Sequence, residues 1–522
     1  MSAAPRQSAL RSPSPLASVA ARPLLTASLL AAVCAVALCT ACAEPPALLP
    51  PPFGPDQDAP KPTRLFFPTG LAVQPTSGHL LVVNGNFNHE FDSGTLVSLD
   101  PKYLADAFAA PPADPSKPLE PLVQQIPAGH SASSTPYCGG DKSGAYCGAV
   151  MIGSYGGPLL FDRSGLRAYT GSRDSSSLDG VTIKPSTGEL SCLYQPDGSR
   201  DCRAGVVNTR ASYNIEGPYT LVNGFARLPG TPAAQPDQEV MFVNQLTPSV
   251  DRIESNILFT SSRVAALLPY DAASTGPASY YVAAASDAYT AGGVGAGPVV
   301  FDAGRRQLIL GGCYSRYSSG SVGEPSSGKC GSVSTNYLRF MGVDEGSNAG
   351  VRLVDIKGDV LSTDTEALAL GGLDTSVTPA QYRTLYVATR FPDLLAEFEL
   401  PSDPRRPLAL RRATPMPISP AQILLLKRPA SLGQSLPDLL LVSAESSGSV
   451  AIYDATAGQV VAQVERLGSA PFAMVQLADS ADGTKAQVAL SVFQDCRIAL
   501  IDIDYARPWQ ARLRARLGSC PL

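Results

Sequence analysis

Short apolar runs alternate with polar or glycine-rich breaks along most of this chain, and one two-part pattern returns seven times. Each unit has an apolar run, a break, and a second run that usually ends in Asp. Runs of this length bounded by Gly, Asp and Asn are typical of β-strands. The second runs are GTLVSLD (94–100), LDGVTI (178–183), VAALLPYD (264–271), GVRLVDI (350–356), LLAEFEL (394–400), GSVAIYD (448–454) and CRIALIDID (496–504). Such a repeat predicts an all-β chain of similar units.

The last unit contains the pattern in full. FAMVQLA (472–478) is followed by a Gly/Asp turn, KAQVALSVF (485–493), a loop and the final run, and VVAQVER (460–466) supplies a fourth strand between units six and seven. Four antiparallel strands repeated radially form the blades of a β-propeller. We therefore predict a seven-bladed β-propeller of four-stranded antiparallel blades over 64–504. Six or eight blades, a two-sheet sandwich and a β-solenoid stay open as alternatives.

The early units are longer than the late ones. Units from the fifth onward repeat at about 50 residues, near the spacing of propeller blades, whereas the first four are longer. The excess falls in Pro/Gly/Ser-rich stretches such as 101–140 and 314–335, which predict long loop insertions, and 205–345 leaves the blade edges open. Because an open ring would expose edge strands, we expect RLFF (64–67) to complete the last blade. The tail 505–522 would then pass beyond the ring.

Several segments resemble a known bacterial repeat. FPTGLAV, HLLVVNGN with GTLVSLD, PDLLLVSAESSGSVAIYD and YVATR (386–390) are similar to the YVTN/NHL-type repeat of seven-bladed propellers. In that family the loop between the second and third strands opens around a central channel. The resemblance therefore implies a ligand funnel whose polar groups include Asn84, His89, Glu90, Arg173, Asp174, Asn244, Arg390, Glu445 and Asp495. Polar loops that merely meet water are the alternative.

The N-terminus reads as an export signal. Three arginines precede an uncharged run from Leu24 to Leu38, which is the layout of a secretory signal peptide. The ending LCTAC resembles a bacterial lipoprotein signal, with 1–41 removed and Cys42 lipidated. A proline-rich tether (42–63) follows. The resemblance implies a lipoprotein of the cell envelope, anchored in the outer membrane with its periplasmic or surface face undetermined; simple secretion or an uncleaved anchor are the alternatives.

Charge and cysteine usage agree with export. Removal of 1–41 takes away three arginines and no acid, so the formal charge moves from −5 to −8, which argues against nucleic acid as a partner. Eight cysteines remain besides Cys42 and favour disulfides between neighbours. The expected pairs are Cys138–Cys147, Cys192–Cys202, Cys313–Cys330 and Cys496–Cys520. The chain has three histidines and no CxxC, so zinc is a poor alternative.

Little in the sequence points to catalysis. There is no G-x-S-x-G elbow and no Walker loop, and the histidines have no assignable serine partner. The loop NGNFNHEFDSG (84–94) offers oxygen ligands for Ca²⁺ or another divalent ion but lacks the regular spacing of a calcium loop. We therefore expect no catalytic residue and no cofactor. The leading hypothesis is a monomeric, lipid-anchored scaffold that binds an envelope protein or small ligand; a lactonase-like metal-dependent hydrolase and a purely structural lipoprotein are the alternatives.

Overall fold

The computed structural model describes most of the repeat region, and all of its described residues belong to one compact unit, Leu48–Leu522. The predicted signal peptide, and the tether apart from Pro50, lie outside them. The described residues are 50, 65–88, 90–109, 148–172, 177–193, 195, 200–205, 207–208, 218–226, 238–245, 263–267, 280–282, 293–294, 298–311, 313–315, 334–343, 351–358, 364–403, 405–433, 436 and 438–518.

The described strands pair into seven antiparallel sheets, five of four strands, one of five and one of six. Sheet one contains β1 (Pro68–Val73), β2 (Leu80–Asn84), β3 (Gly94–Leu99) and β4 (Ala149–Ile152). Sheet two contains β5 (Gly156–Phe161), β6 (Arg167–Ser172), β7 (Ser177–Lys184), β8 (Glu189–Cys192) and β9 (Val207–Asn208). Sheet three contains β10 (Pro218–Ala226), β11 (Gln238–Gln245), β12 (Arg263–Leu267) and β13 (Tyr280–Val282).

The remaining sheets follow the same plan, with sheet four as the exception. Sheet four contains β14 (Gly293–Val294), β15 (Val299–Asp302), β16 (Gln307–Leu310), β17 (Cys313–Ser315), β18 (Ser334–Val343) and β19 (Val351–Gly358). Sheet five contains β20 (Asp364–Asp374), β21 (Gln381–Arg390), β22 (Leu394–Glu399) and β23 (Ala409–Pro415). Sheet six contains β24 (Pro420–Leu425), β25 (Leu439–Ala444), β26 (Ser449–Asp454) and β27 (Gln459–Val464). Sheet seven contains β28 (Pro471–Asp479), β29 (Lys485–Val492), β30 (Arg497–Asp504) and β31 (Arg512–Leu517).

The cores lie between neighbouring sheets. Every residue of β2, β3 and β25 is buried, because a middle strand packs on both faces against adjoining sheets. This explains why these strands read as continuous apolar runs rather than as an alternating pattern. The outer strand β23 has five exposed and two half-buried residues, as expected for an edge that faces water. The expectation of an all-β chain built from four-stranded antiparallel sheets is confirmed.

The repeated sequence pattern falls on the third strand in six sheets and on another strand in sheet four. There GVRLVDI forms β19, which pairs only at the outer side of β18. The third position belongs to β18, which pairs with β16. The assignment of this run to a third strand was therefore wrong. Both strands are apolar runs, and the pattern alone did not distinguish their order.

A common irregularity marks the start of the innermost strand. The register between the first and second strands shifts at this point in sheets one, two, three, five, six and seven. The residue just before the strand adopts a left-handed backbone in four sheets, at Phe67, Tyr155, Ser419 and Ala470. A bulge increases local twist and bends the strand. Six sheets thus share a bulge at the start of the first strand, in addition to their shared sequence pattern.

Adjacent sheets contact one another in cyclic order. The contacts run through β1, β5, β10, β15, β20, β24 and β28, and β28 contacts β1 again. The expected closure by RLFF was wrong, because Leu65–Phe67 precede β1 without forming a strand. The tail supplies β31 instead, which pairs with β30 as the fourth strand of sheet seven. The local sequence RLRARL completes the sheet, so a strand from the other end of the chain is not needed.

Sheets one and seven share a hydrophobic core. From sheet one and its flanking segments come Leu65, Leu71, Leu80, Val82, Val97, Leu99, Leu104, Phe108 and Ala149. From sheet seven come Ala473, Ala489, Cys496, Ile498, Leu500, Ala515 and Leu517. The Phe493 ring contacts the rings of Phe67 and Phe87, at centroid distances of 5.2 and 4.8 Å. The two ends of the repeat region are therefore joined mainly by apolar packing.

A helix strengthens this junction. Helix α1 (Pro101–Ala109) follows β3 and starts at Asp100, whose carboxylate accepts a hydrogen bond from the Lys102 amide at 2.7 Å. Leu104 and Phe108 are its buried residues. Near its end, the Phe108 carbonyl accepts two hydrogen bonds from Arg514 of β31, at 3.2 and 2.6 Å. A cation at the C-terminus of a helix satisfies a free carbonyl and complements the helix dipole.

One predicted disulfide is confirmed. Cys192 at the end of β8 is bonded to Cys202, with a Cα–Cα distance of 5.0 Å. Cys496 is also disulfide-bonded, and its partner lies outside the described residues, as does its expected partner Cys520. The side chain of Cys313, together with Cys42, Cys138, Cys147 and Cys330, also lies outside them. Within the described part of the chain, no helix has both the length and the apolar character needed to cross a bilayer.

Truncation of the buried helix residue should test the junction. Phe108 is 4% exposed and packs in the core shared by sheets one and seven. We expect Phe108→Ala to lower the free energy of unfolding by roughly 3–5 kcal/mol, measured by urea denaturation. The matched control Phe391→Ala removes a ring that is 71% exposed and should change stability by less than about 0.5 kcal/mol. Equal effects of the two substitutions would contradict the packing role of Phe108.

Candidate functional site

The described residues of the predicted funnel belong to one edge of the sheets, here called the 2–3 edge because the second strand of each sheet ends there. Asn84 ends β2 and Arg390 ends β21, while Glu445 directly follows β25. Asp495 lies between β29 and β30. His89, Arg173 and Asp174 lie outside the described residues, and Asn244 is described only as part of β11.

The loop after β2 uses its polar groups internally. The Asn84 amide is fully buried; its oxygen accepts from the Phe66 amide at 3.3 Å and its nitrogen donates to Thr95 Oγ1 at 3.0 Å. Asn86 donates to the Phe91 carbonyl at 2.7 Å and to Ser154 Oγ at 3.0 Å. Buried amides satisfied in this way are structural. Glu90 remains at the exposed outer part of the loop, where Asn88 donates to it at 3.1 Å.

Arg390 and Glu445, predicted from different units, come together. Arg390 is buried, and its Nη2 lies 2.9 Å from Oε2 of Glu445. Its Nε lies 3.1 Å from Oε1 of Glu366 and donates to the Pro420 carbonyl at 3.2 Å. One guanidinium thus joins the second strand of sheet five, its first strand and the neighbouring sheet six. A buried cation surrounded by two carboxylates and a carbonyl is held in one position, and loss of either carboxylate would leave it less completely paired.

Apolar side chains protrude beside this cluster. Phe391 directly follows Arg390, and Ile418 lies two residues before β24. They are 71% and 62% exposed. Their loops are tied together because the Ser419 amide donates to Asp393 Oδ1 at 3.1 Å and the Met416 amide donates to the Asp393 carbonyl at 3.0 Å. The 2–3 edge of sheets five and six therefore presents two large apolar groups on hydrogen-bonded loops.

The same edge of sheet two carries a buried acid. Asp179 of β7 is fully buried and accepts hydrogen bonds from Ser172 Oγ at 2.5 Å and from the Gly153 amide at 3.2 Å. Burial raises the pKa of Asp179 to about 6, against the opposing effect of these two hydrogen bonds. Because Gly153 lies between β4 and β5, this carboxyl group joins sheet two to the connection from sheet one.

The residue that follows the Cys192–Cys202 disulfide contacts the loop of sheet one. Arg203 donates to both carboxylate oxygens of Asp201 at 2.8 Å, and its Nη1 lies 3.3 Å from Asp92 Oδ2. The hydrogen bond from Arg203 lowers the pKa of Asp201, which burial opposes. The Cys192–Cys202 bond places Arg203 next to a covalent constraint. These ion pairs of Arg203 with Asp201 and Asp92 hold the loop that contains Asp92 against the segment after β8.

Asp495 borders a cleft on the outer side of sheets six and seven rather than joining the Arg390 cluster. Its Oδ2 accepts a hydrogen bond from the Ser469 amide at 3.2 Å. Arg497 and Arg516 line the same cleft. The candidate residues thus occupy several separate places along the 2–3 edge. Among the residues that the structure describes, no three His, Cys, Asp or Glu side chains are grouped to hold a metal ion.

Several groups at this edge were missed from the sequence. Glu366 and Ser172 belong to strands, whereas the predicted funnel was assigned to the loops between the second and third strands. Arg203 directly follows the segment closed by the disulfide, and Arg516 lies in the tail that was placed beyond the ring. The cysteine spacing could have drawn attention to Arg203. No comparable signal marks the other three, whose roles depend on contacts between sheets.

Comparisons with known proteins bear on the fold. Neither a family model nor a curated protein matches this sequence. Similar solved structures include the β-propeller domain of Cps50 (Swd1) from Myceliophteria thermophila, at 12% identity and a TM-score of 0.43 over 84% of this chain and 96% of that one. A 6-phosphogluconolactonase candidate from Bacteroides uniformis ATCC 8492 has 12% identity and a TM-score of 0.38, over 75% and 82%.

Hydrazine synthase from Kuenenia stuttgartiensis is a further neighbour, at 12% identity and a TM-score of 0.38 over 74% of this chain and 83% of that one. The neighbours therefore include β-propeller domains. Identities and TM-scores this low transfer no activity, ligand or partner to this chain, and the description of its fold depends on its own strand pairing.

The buried acid of sheet two should make stability depend on pH. The pKa of Asp179 is about 6 in the folded chain and 3.8 as its ordinary value, so ionisation disfavours the folded state. The stabilising contribution is complete below the unfolded pKa and is lost as pH rises through about 6. We expect the free energy of unfolding of the wild type to fall by about 3 kcal/mol relative to Asp179→Asn between pH 3.5 and 7, measured by urea denaturation.

Circular dichroism should first establish that Asp179→Asn is folded. Parallel pH profiles of the two proteins would contradict the role given to this carboxyl group.

Proposed function

We propose that this chain is a seven-bladed β-propeller of YVTN/NHL-like repeats that binds a partner at the cell envelope as a lipid-anchored monomer. Seven sheets in cyclic order and six shared strand-start bulges support the blade count. A recurrent sequence pattern in each unit supports the repeat type. The function proposed is that of a binding scaffold, with a protein as the partner.

The observation that carries this proposal is the exposed apolar pair Phe391 and Ile418, here called the apolar pair. Large apolar side chains that protrude from neighbouring, hydrogen-bonded loops are candidates for an interaction surface. Aromatic side chains at the centre of an interface contribute much of the binding free energy. The two residues are 71% and 62% exposed.

The support beneath the apolar pair favours binding without a large loss of conformational entropy. Arg390, next to Phe391, is paired with Glu366 and Glu445. On the other side, the Glu445 amide donates to the Ser419 carbonyl at 2.8 Å, next to Ile418. Loops that are ordered before association leave less freedom to be lost on binding. The surface therefore combines apolar exposure with a fixed polar base, as in preorganised protein interfaces.

Substitution of the apolar pair should weaken partner capture. We expect the immobilised protein to capture a component of a cell-envelope extract saturably, and the double variant Phe391→Ser/Ile418→Ser to lose at least about tenfold in affinity. The control Leu373→Ser removes a 52% exposed side chain at the end of β20, on the opposite edge of sheet five. It should capture as the wild type does.

Two results would contradict the proposal. Absence of saturable capture by the wild type would favour a purely structural role. Equal loss in the Leu373→Ser control would show that the apolar pair is not the contact surface.

The lipid anchor is supported by the sequence of the N-terminus. Thr40 and Ala41 directly precede Cys42, and 42–63 is rich in proline, which suits an extended tether between a lipid and a folded body. A stable anchor through acyl chains is compatible with the formal charge of −8 after signal removal, since electrostatic attraction to anionic lipid is not needed.

Radiolabelled palmitate should test the anchor in a bacterial host that expresses the full chain. We expect label on the wild type and none on Cys42→Ala, because the thiol of Cys42 is the proposed attachment point. Cys39→Ala is the matched control and should keep the label, since Cys39 would leave with the signal. Label that persists on Cys42→Ala would contradict the anchor.

A further inference from the structure

A cleft of about 590 Å³ lies between the outer parts of sheets six and seven at the 2–3 edge, apart from the apolar pair. The end of β27 contributes Gln463, Glu465 and Arg466 to its wall, and sheet seven contributes Asp495, Arg497 and Arg516. Clefts of this volume accommodate small organic molecules. Three of these six residues are arginines.

Arg516 of β31 is buried with unmet hydrogen-bond donors. Its side chain lines the cleft, and the residue is only 5% exposed. Its Nη2 donates to the Arg466 carbonyl, whereas its Nε and Nη1 are buried without a hydrogen-bond partner. A charged donor taken out of water without an acceptor is unfavourable. The side chain therefore offers two N–H-bearing atoms to a group of opposite charge.

Arg497 is a second arginine of the cleft with an unmet hydrogen-bond donor. Its Nε is also buried without a partner. Burial lowers the pKa of Arg516, and the positive charge of Arg497 lowers it further, whereas Asp495 raises it. Arg497 and Arg516 lie on the same face of neighbouring strands, because Arg516 pairs with Ala499, two residues from Arg497. Their like charges therefore repel each other. An anion placed between them would relieve this repulsion and satisfy the donors together.

The acidic residues of the cleft leave these donors unpaired. Asp495 accepts a hydrogen bond from the Ser469 amide instead. Glu465 is exposed at the end of β27. Gly468, which has a φ of 123°, also lines the cleft, and a side chain there would collide with the Asp495 carboxylate. Glycine is therefore required at position 468, both by its positive φ and by the close approach of the Asp495 carboxylate.

We propose that this cleft is a binding site for an oxyanion, a phosphate or carboxylate group carried by a small molecule, with Arg516 and Arg497 as its donors. Guanidinium groups present planar paired donors that match both kinds of oxyanion. The volume of about 590 Å³ leaves room for the rest of such a molecule. This site is independent of the apolar pair and of the partner proposed for it.

Isothermal titration calorimetry of the purified protein should test the site with inorganic phosphate and with malonate, at constant ionic strength set by chloride. We expect saturable binding of at least one probe. Arg497→Gln and Arg516→Lys should each weaken it by roughly 10- to 100-fold, because each removes charge-assisted hydrogen bonds. Arg516→Lys keeps the charge and tests the planar donor geometry. Binding of phosphate alone indicates a phosphate ester, and binding of malonate alone indicates a carboxylate.

The matched control is Arg512→Gln, which removes the same charge from an exposed position of β31 outside the cleft and should bind as the wild type does. The Phe391→Ser/Ile418→Ser variant should also keep anion binding, which separates this proposal from the partner surface. If Arg516→Lys does not fold, Arg497→Gln decides. The proposal is overturned if neither probe binds saturably, or if Arg512→Gln weakens binding as much as Arg497→Gln.

Discussion

The structure depends on the packing of its first sheet against its last. Sheets stacked in cyclic order bury their faces only if the two ends meet, because otherwise sheets one and seven would each expose an apolar face. The core that contains Leu80, Val97, Ile498 and Leu500 meets this requirement. Helix α1 and Arg514 add a polar contact to the same junction. Closure here combines side-chain packing with a helix, and each end sheet has its own complete set of strands.

This closed frame determines where function can reside. The first strands and their bulges are similar from sheet to sheet, whereas the connections at the 2–3 edge differ. In sheet one, asparagine side chains form hydrogen bonds within the loop, and in sheet five Arg390 pairs with two acids. In sheet seven, buried arginine donors have no hydrogen-bond partner. A rigid scaffold with variable loops is the usual arrangement for binding proteins. The proposed partner surface and the proposed anion site both lie at this variable edge.

The sequence predicted the repeated strands well, because strands buried on both faces give continuous apolar runs, as in LLVVN of β2. It also predicted the Cys192–Cys202 bond, since cysteines that are close in the sequence can pair across a short loop. Strand order in sheet four was misassigned, because β18 and β19 have similar patterns. Arg516 and Glu366 could not be recognised as site residues. Their environment arises between strands that are distant in sequence, and local patterns carry no information about it.

Amide hydrogen exchange in a variant of helix α1 tests the closure most directly. Leu104 lies in the core shared by the end sheets, yet it is more than 360 residues from β28 along the chain. If the sheets form one closed ring, Leu104→Ala should reduce the protection of peptides from β28 to β31 about as much as that of peptides from β1 to β3. Unchanged protection in β28 to β31, with faster exchange only in sheet one, would contradict the account.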